Sequence, residues 1–323
     1  MAITLARIAA ALTLGVGMVT GVFAQNYPVK PVRVILPFPA GSGADVVTRT
    51  VTQKLSETWG QPVVVDNRPG AGGTIGVAAV VKSTSDGYVL LAHSSTYAVS
   101  PAIYASLPYE PAKDLMELAP IGSQPYLLVV GPSSGFKSVA DLIAAAKSKP
   151  GQINFGSAGL GSSTHLVAEK LRSAAGIDMV HVPYKNLADA NTDTMTGRIS
   201  FWFPPMGLAL PLVRGGKLMA LGVTSVRRTA HLPQVPTLAE AGIAGIEDTN
   251  WFGMWAPSRT PADVAGKIAK DIAAAVAAPD VRERFATSGT EPLSMTQPEF
   301  ARFVRAEIES AARVVKAAGI KAE

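Results

Sequence analysis

Apolar and polar positions in the first third of the chain alternate between strand-like and helix-like patterns. Val32–Leu36 is an apolar, β-branched run that predicts a buried strand, and residues 63–65 and 88–92 predict two more. Amphipathic spacing over 45–57 and a helix-compatible run over 72–82 predict a helix between each pair of strands. This alternation predicts a parallel sheet covered by helices on its faces.

The same pattern starts again near Tyr126. Ser138 has the position of a helix N-cap, with Asp141 in the first turn that follows. The apolar runs predict strands over 126–130, 153–155, 179–182, 199–203 and 218–224, and helices are predicted over 138–147 and 163–174. We therefore expect two α/β units in series.

The last part of the chain is mostly helical in pattern, after one more apolar run at 251–256. Thr260 is the predicted N-cap of a helix whose first residue is Pro261, and an amphipathic helix is predicted over 297–316. These helices have no third sheet to cover, so we expect them to pack back on the first unit. The chain would then cross between the units twice.

Residues 1–24 have the pattern of a secretory signal peptide cleaved near Ala24. Arg7 precedes an apolar stretch over 8–22, which is short for a membrane anchor and is diluted by Gly and Thr. No cysteine follows it, which excludes a lipid-anchored protein. We expect the mature protein to be exported, in a bacterium to the periplasm.

Composition narrows the function classes. A chain of 323 residues suggests two domains, and the absence of cysteine excludes cysteine-bound zinc, iron–sulfur clusters, disulfide exchange and cysteine nucleophiles. The net charge of +5 is scattered, without the basic patch of a nucleic-acid binder. No histidine pair has metal-binding helical spacing and no acidic cluster resembles a metal loop, so we expect no metal and no cofactor. The function class that remains is a protein that acts on a small molecule.

The segment 37–45, PFPAGSGAD, lies between a predicted strand and a predicted helix. Ligands of open α/β sheets bind at this end of parallel strands. Gly41 and Gly43 let the backbone approach a ligand, and the free N–H groups of a helix start attract anions. The segment predicts a small-anion cradle. A dinucleotide fingerprint ending at Asp66 is an alternative that Val46 disfavours, and an ordinary tight turn is another.

A second segment of this kind is FGSAGLGSSTHL at 155–166. Its glycines free the backbone, and hydroxyls lie beside the predicted helix start at Ser157, Ser162, Ser163 and Thr164. Neither segment has the lysine of a P-loop. Two anion cradles predict one ligand with two acceptor ends, or one carboxylate held from both sides. The alternative is a pair of turns that only connect elements, with the hydroxyls as ordinary caps.

The segment GPSSG at 131–135 formally fits a nucleophile motif. A nucleophile elbow enters a helix at its serine, whereas the helix predicted here starts later, at Ser138, and Pro132 precedes the candidate Ser133. His165 lies where it can touch an anionic ligand, but a histidine at a helix start more often bonds to neighbouring backbone. We therefore predict a protein without catalytic residues.

Nine segments carry a resemblance to a known family, and in chain order they are PFPAGSGAD, VVVDNRPGAGGTIG, DGYVLL, LPYEPAKDL, GSAGLGSSTHL, DMVHVPYK, GGKLMALGVTSVRR, LPQVPTLAEAG and NWFGMWAP. Together they resemble the Bug family, the periplasmic solute-binding proteins of tripartite tricarboxylate transporters. The segments span essentially the whole chain after residue 24, and their order makes the resemblance specific.

The resemblance implies an α/β, two-lobed, type-II periplasmic-binding-protein-like fold. Each lobe would be a sheet flanked by helices, with the ligand cleft between the lobes. Lobe I would comprise 25–125 and 228–323 with the C-terminal helices, and lobe II 126–227, after the signal peptide at 1–24. A ligand that bridges both lobes only in the closed state would favour that state.

The resemblance also implies that the two strand–helix loops hold the ligand's carboxylate groups, partly through ordered water. The candidate ligand-binding residues are Phe38, Ala40, Gly41, Ser42, Gly43, Asp45, Ser94, Ser157, Ala158, Gly161, Ser162, Ser163, Thr164, Phe203 and Pro204. This chain has Ser42 and Ala44 at positions where many family members have a second Gly or a Thr. Pro204 stands where members often have an acid that can receive a ligand amino group, so an amino acid is the less expected ligand.

The function implied is capture of a small carboxylate and its delivery to the membrane subunits of a tripartite tricarboxylate-type transporter. The expected ligand is an aliphatic or aromatic carboxylate, an aromatic dicarboxylate such as terephthalate being one candidate, and a monomer that binds no nucleic acid is expected. An orphan carboxylate sensor or signalling receptor of the same fold is the alternative. An exported serine hydrolase is a further, less favoured one.

Overall fold

This computed structural model describes residues 27–185 and 187–320. The predicted signal peptide at 1–24 lies outside the described residues. Strands and helices alternate in the first part of the chain, in the order β1 (Val32–Leu36), α1 (Gly43–Trp59), β2 (Val63–Asn67), α2 (Thr74–Val81), β3 (Val89–Ser94) and α3 (Thr96–Ile103). This is the alternation that the apolar pattern predicts.

The middle and the end of the chain continue in the same style. The middle elements are α4 (Pro111–Asp114), β4 (Leu115–Pro125), β5 (Leu127–Val130), α5 (Val139–Ser148), β6 (Ile153–Ser157), α6 (Ser163–Ala175), β7 (Met179–Pro183), α7 (Leu187–Met195), β8 (Phe201–Trp202), α8 (Met206–Arg214) and β9 (Met219–Val223). The last elements are β10 (Thr249–Pro257), α9 (Ala262–Ala277), α10 (Pro279–Thr287) and α11 (Gln297–Ala318).

The first sheet has the strand order β2-β1-β3-β10-β4. Strand β1 pairs in parallel with β2 and β3, so the carboxyl ends of these strands meet at one edge. Strand β10 runs antiparallel to both β3 and β4, which makes the sheet mixed rather than purely parallel as predicted. We call the part of the molecule built on this sheet lobe I.

The second sheet has the order β7-β6-β8-β5-β9 and forms the centre of lobe II. Strand β6 pairs in parallel with β7 and β8, while β5 runs antiparallel to β8 and β9. Each sheet therefore has parallel strands that lead into helices and one antiparallel strand entering from the other lobe. Helices flank both sheets, which gives the predicted two-lobed α/β architecture.

The chain passes between the sheets at Tyr126 and again near Asp248. Thr224 joins these two crossovers, because its Oγ1 accepts the Tyr126 N–H (2.9 Å) and donates to the Asp248 carbonyl (2.7 Å). Leu232, Val235, Leu238 and Ile246 pack in the cores on the second sheet. This packing favours a return to lobe I near Thr249 rather than at 228, while the domain division itself stays a prediction.

The helical tail packs on the first sheet. Ile268 and Ile272 of α9 lie in one core with Val34, and Phe300 of α11 lies in another with Ile35. The predicted return of the tail agrees with this packing. Among the residues that the structure describes, no helix combines the length and the apolar character needed to cross a bilayer.

Two local predictions have different outcomes at helix starts. Ser138 is the N-cap of α5, as predicted, since its hydroxyl accepts the Asp141 N–H at 3.1 Å. The Thr260 cap is wrong, because α9 begins at Ala262 with Pro261 in the cap position. Pro261 has an extended ψ of 137°, so its carbonyl, not the Thr260 hydroxyl, starts the helix.

Candidate ligand-binding site

The first candidate loop joins β1 to α1 and is closed by side chains from its own helix start. Gly41 has a φ of +78°, a conformation that favours glycine. Ser42 is the N-cap, and its hydroxyl accepts the Asp45 N–H at 3.3 Å. The Asp45 carboxylate accepts the Gly41 N–H at 2.9 Å in return. Two reciprocal bonds therefore fix the path of the chain into α1.

The Asp45 carboxylate is buried and fully engaged. The Arg49 Nε lies 3.0 Å from both of its oxygens, and the Asn67 amide donates to it at 2.9 Å. Burial alone would raise the pKa of Asp45. The bonds from Arg49, from the Gly41 amide and from Asn67 outweigh burial and lower the pKa below its ordinary value. Asp45 is thus an ionised anchor of the loop.

The second candidate loop joins β6 to α6 and repeats the arrangement of the first. Gly161 has a φ of +69°, and Ser162 is the N-cap whose hydroxyl accepts the His165 N–H at 3.2 Å. The Gly161 N–H donates to Nδ1 of His165 at 3.1 Å. His165 therefore has the place in this loop that Asp45 has in the first, and it bonds to backbone as the favoured interpretation expected.

Most hydroxyls of the second loop bond within the loop. The Ser157 hydroxyl, which is completely buried, lies 3.0 Å from the Gly159 carbonyl and 2.6 Å from Nε2 of His181. The Ser162 hydroxyl donates to the same carbonyl at 2.8 Å. Thr164 Oγ1 accepts the Ala158 N–H at 2.9 Å. These groups hold the loop in shape. They therefore affect a ligand indirectly, through the position of the loop backbone.

The first-turn amides are the donors that both loops leave open. The N–H groups of Gly43 and Ala44 in α1, and of Ser163 and Thr164 in α6, make no hydrogen bond with any described residue. Unpaired N–H groups at a helix start attract anions, and the helix dipole adds to this. Each lobe therefore presents two adjacent donors suited to one carboxylate group.

A pair of stacked histidines lies behind the second loop. The rings of His165 and His181 are nearly parallel, with centroids 3.8 Å apart. Burial, and next the neighbouring His165, lower the pKa of His181 to about 4. Within 27–185 and 187–320, no three histidine, aspartate or glutamate side chains cluster in a way that suits a metal ion.

Side chains near the crossovers connect the two loops. The Thr96 hydroxyl of lobe I donates to Ser163 of the second loop at 3.4 Å. Gln124, at the end of β4, lies beside the first loop, since a side chain at Gly43 would meet its Oε1 at 3.5 Å. The same Oε1 accepts the Gly207 N–H of lobe II at 3.4 Å. The loops thus flank the crossovers from opposite lobes.

The remaining sequence-predicted residues lie around the two loops and the crossovers. The Phe38 ring contacts His93 edge-on, with centroids 5.1 Å apart, and Ser94 is buried next to it. Phe203 is completely buried in the core of lobe II, and the Pro204 carbonyl accepts the Leu127 N–H at 3.0 Å. Ala40 and Ala158 are exposed residues of the two loops.

Several residues that support the loops were missed from the sequence. Asn67 bonds to the Phe38 carbonyl as well as to Asp45, and Gln124 and His181 contact the loops from other strands. These residues come from distant parts of the chain and carry no motif of their own. The only available signal was the position of Asn67 just after a predicted strand, where parallel strands direct their last side chains toward a ligand. Gln124 lies in β4, which the apolar pattern does not predict, and His181 lies in the middle of β7.

The GPSSG segment lacks the geometry of a nucleophile elbow. Ser133 lies in an exposed turn, and α5 begins only at Val139. No hydrogen bond joins Ser133 to a histidine among the described residues. The segment is therefore a surface connection.

Comparison with known proteins agrees with this geometry. Residues 47–320 match the sequence profile of TctC, the tripartite tricarboxylate transporter family receptor. The chain belongs to this family. BugT of Bordetella pertussis strain Tohama I is 37% identical to this TctC-family chain over 309 residues, which is 94% of each protein. A UPF0065 protein in the tcbD-tcbE intergenic region of Pseudomonas sp. strain P51 is 36% identical, over 88% of this chain and 84% of that protein.

Solved structures share the fold of the TctC-family chain. Rpa4515 of R. palustris, solved with adipate, has a TM-score of 0.87 at 32% identity, over 92% of this chain and 100% of that one. The periplasmic binding protein BugD has a TM-score of 0.84 at 30% identity, with the same coverage of 92% and 100%. MatC of Rhodopseudomonas palustris, solved with bound malate, has a TM-score of 0.82 at 28% identity, over 90% and 100%.

Family membership fixes the class of protein. TctC and Bug proteins are periplasmic binding proteins of the two-lobed α/β fold, and two of the solved structures that share this fold contain the carboxylates adipate and malate. They bind substrates and are not enzymes. The TctC-family chain is therefore a substrate-binding protein.

Proposed function

We propose that this TctC-family receptor captures a small dicarboxylate between its lobes and delivers it to the membrane subunits of a tripartite tricarboxylate-type transporter. The observation that carries the proposal is the pair of open first-turn amides in each lobe, at Gly43 and Ala44 and at Ser163 and Thr164. One carboxylate on each pair suits a ligand with an acceptor at each end.

In this proposal both loops contribute backbone more than charge. The first carboxylate lies on residues 38–45 and the second on 157–164, with Ser94 and Pro204 beside the middle of the ligand and Phe203 in the adjoining core of lobe II. Asp45 is engaged by Arg49, so no free acid of the first loop repels the ligand. A carboxylate held by amides needs no buried cation and avoids the cost of desolvating one.

The middle of the ligand is proposed to be apolar, as in terephthalate. Trp202 at the end of β8, and Pro204 and Met206 after it, are buried apolar residues of lobe II. Pro204 provides no charge to a ligand ammonium group, and an unpaired buried ammonium is costly. Adipate, present in the Rpa4515 structure, is a second dicarboxylate of this type.

Calorimetric titration with terephthalate, adipate, benzoate and aspartate tests the ligand class. We expect both dicarboxylates to bind, and benzoate to bind at least about tenfold more weakly because it fills only one amide pair. Tight binding of aspartate alone would refute the apolar dicarboxylate. Binding of none of the four would refute the proposed function.

Delivery to a transporter is tested in the source bacterium. Deleting the gene should abolish uptake of the dicarboxylate that the purified protein binds, and the unchanged gene supplied in trans should restore it. A strain that keeps full uptake while losing a transcriptional response to that dicarboxylate would instead show a sensor.

A further inference from the structure

The two loops share one hydrogen-bond arrangement, called here the positioning device, that sequence comparison of the lobes does not reveal. In each loop a glycine with positive φ precedes the cap serine, and the third helical residue reaches back to the glycine N–H. That residue is Asp45 in lobe I and His165 in lobe II. The sequences agree only in Gly-Ser, yet the backbone geometry is the same, with cap φ/ψ of −67°/161° and −71°/158°.

The device determines where the open amides point. In lobe II, Gly161 reverses the chain immediately before the first-turn amides of Ser163 and Thr164. Its N–H is buried and has one partner, the Nδ1 of His165 at 3.1 Å. Loss of that acceptor leaves a buried donor unpaired, which costs enough to displace the loop. His165 thus controls the amides although it need not touch the ligand.

The two anchors differ in how they respond to a proton. Asp45 accepts through a carboxylate that Arg49 and Asn67 keep ionised. His165 accepts only while Nδ1 carries no proton, because both ring nitrogens of a protonated imidazole are donors. A proton from solvent on Nδ1 would face the Gly161 N–H, and the bond would be lost.

The groups that face His165 favour this response. Glu169 on the same helix lies 3.6 Å from the other ring nitrogen, Nε2, and is paired to Arg172 at 2.6 Å. From β7 His181 stacks on the ring, and from β6 Phe155 lies 6.0 Å away. Glu169 faces Nε2 and so favours the tautomer with the proton on Nε2, which leaves Nδ1 free to accept from the Gly161 N–H. Burial lowers the pKa of His181 to about 4, so this neighbouring ring is neutral at neutral pH.

We infer that Asp45 and His165 are equivalent positioning residues for the two halves of the proposed carboxylate site, and that protonation of His165 releases the lobe II half. The inference rests on the proposed function. It predicts that the receptor binds its dicarboxylate while Nδ1 of His165 carries no proton and binds it more weakly once Nδ1 is protonated, with the lobe I half unaffected. Each loop then has its own dependence on pH.

The first experiment needs no ligand. Amide NMR of the full mature chain is recorded from about pH 8 to about pH 5, the range in which histidine changes charge. The Gly161 amide should shift with the titration of the His165 ring, while the Gly41 amide should not shift. A Gly161 amide that stays in place while His165 titrates, or a His165 that does not titrate in this range, would overturn the inference.

The second experiment measures adipate and terephthalate binding at both pH values. His165→Asn supplies an amide oxygen as acceptor at every pH, so it should bind as the native chain does at pH 8 and lose the pH dependence. His165→Ala should bind at least about tenfold more weakly at pH 8. His231→Asn, outside the loops, should keep the native profile.

The outcomes separate the two proposals. If the native chain binds neither dicarboxylate while Gly161 follows His165, the proposed ligand is wrong and the positioning role stands. If the native chain binds and His165→Asn keeps the native loss of affinity in acid, the positioning role is wrong and the proposed function stands. Thermal unfolding of each variant confirms that it is folded in either case.

Discussion

At the scale of single residues, the candidate site depends on a few side chains that bond to backbone. Asp45 is the best example, because it accepts from the Gly41 amide, from Arg49 and from Asn67 at once. Its lowered pKa means that the ionised Asp45 carboxylate is more stable in the folded state than in the unfolded chain. This contribution to stability is present above the ordinary aspartate pKa and is lost as the pH falls through the lowered value.

Asp45→Asn should therefore destabilise the protein in a pH-dependent way. At pH 7 we expect the free energy of unfolding to fall by about 1–3 kcal/mol, since the amide cannot accept from all three donors. The difference from the native chain should shrink as the pH falls through the lowered pKa of Asp45, because the native carboxylate is then protonated. Urea unfolding at pH 7 and at an acidic pH below the ordinary aspartate pKa measures it. Asp263→Asn, at an exposed helix position, is the control, and an equal gap at both pH values contradicts the role of Asp45.

The residue scale also shows what the sequence could predict of the site. The two Gly-Ser loops were found because strand, glycine, serine and helix follow one another within a few residues. The partners Asn67, Gln124 and His181 lie on other strands and were not found. Their side chains meet the loops only after the sheets have formed, so a local pattern carries no trace of the contact.

At the scale of elements, apolar runs located most strands but missed those with mixed composition. Strand β1 was predicted with its observed bounds because four of its five residues are apolar and buried. Strand β4 was missed because Glu117, Pro120 and Gln124 interrupt its pattern. Its pairing with β10 at nine positions between Leu115 and Pro125, with two register shifts, compensates for those interruptions. Tertiary pairing overrode local preference.

Helix α11 tests how strongly the tail is held on the first sheet. Phe300 is completely buried, and its ring contacts Trp251 edge-on and lies 5.5 Å from the ring of Trp255. Phe300→Ala should lower the free energy of unfolding by about 3–5 kcal/mol through lost burial and the cavity that remains.

Arg302→Ala, at an exposed position of the same helix, is the matched control for this change. We expect it to alter the free energy of unfolding by less than about 0.5 kcal/mol. Chemical denaturation followed by tryptophan fluorescence measures both variants. Equal effects would mean that α11 contributes little to the lobe I core.

At the scale of the whole molecule, the lobes contact each other through more than the crossovers. Val99 and Ile103 of α3, Leu166 of α6, and Ala311 and Val315 of α11 form one buried apolar cluster. Gly161 of the second loop lies against the same cluster, since a side chain there would come within 2.5 Å of Ile103. The second loop is therefore close to lobe I in this conformation.

Gly161→Ala should disturb this arrangement more than Gly41→Ala does. Both changes place a side chain at positive φ, which costs about 1 kcal/mol, but only Gly161→Ala collides with lobe I, because Gly41 has open space around it. We expect a larger fall in melting temperature for Gly161→Ala than for Gly41→Ala, and a larger radius of gyration for Gly161→Ala alone. Ile103→Ala should relieve part of the defect, and identical behaviour of the two alanine variants would contradict the contact.

The most direct measurement removes one open amide from each lobe. Gly43 and Ser163 are the first residues of their helices, where proline is tolerated because the missing N–H has no partner in the helix. The preceding cap serines already have the extended conformation that a following proline requires. Gly43→Ala and Ser163→Ala keep the amides and serve as controls.

Calorimetric titration of these four variants with the dicarboxylate that the native chain binds decides whether both lobes hold the ligand through backbone. We expect Gly43→Pro and Ser163→Pro each to weaken binding at least about tenfold relative to the matching alanine variant, the loss of one amide bond to a charged group. Proline variants that bind as tightly as their alanine controls would contradict a carboxylate held by the two helix starts.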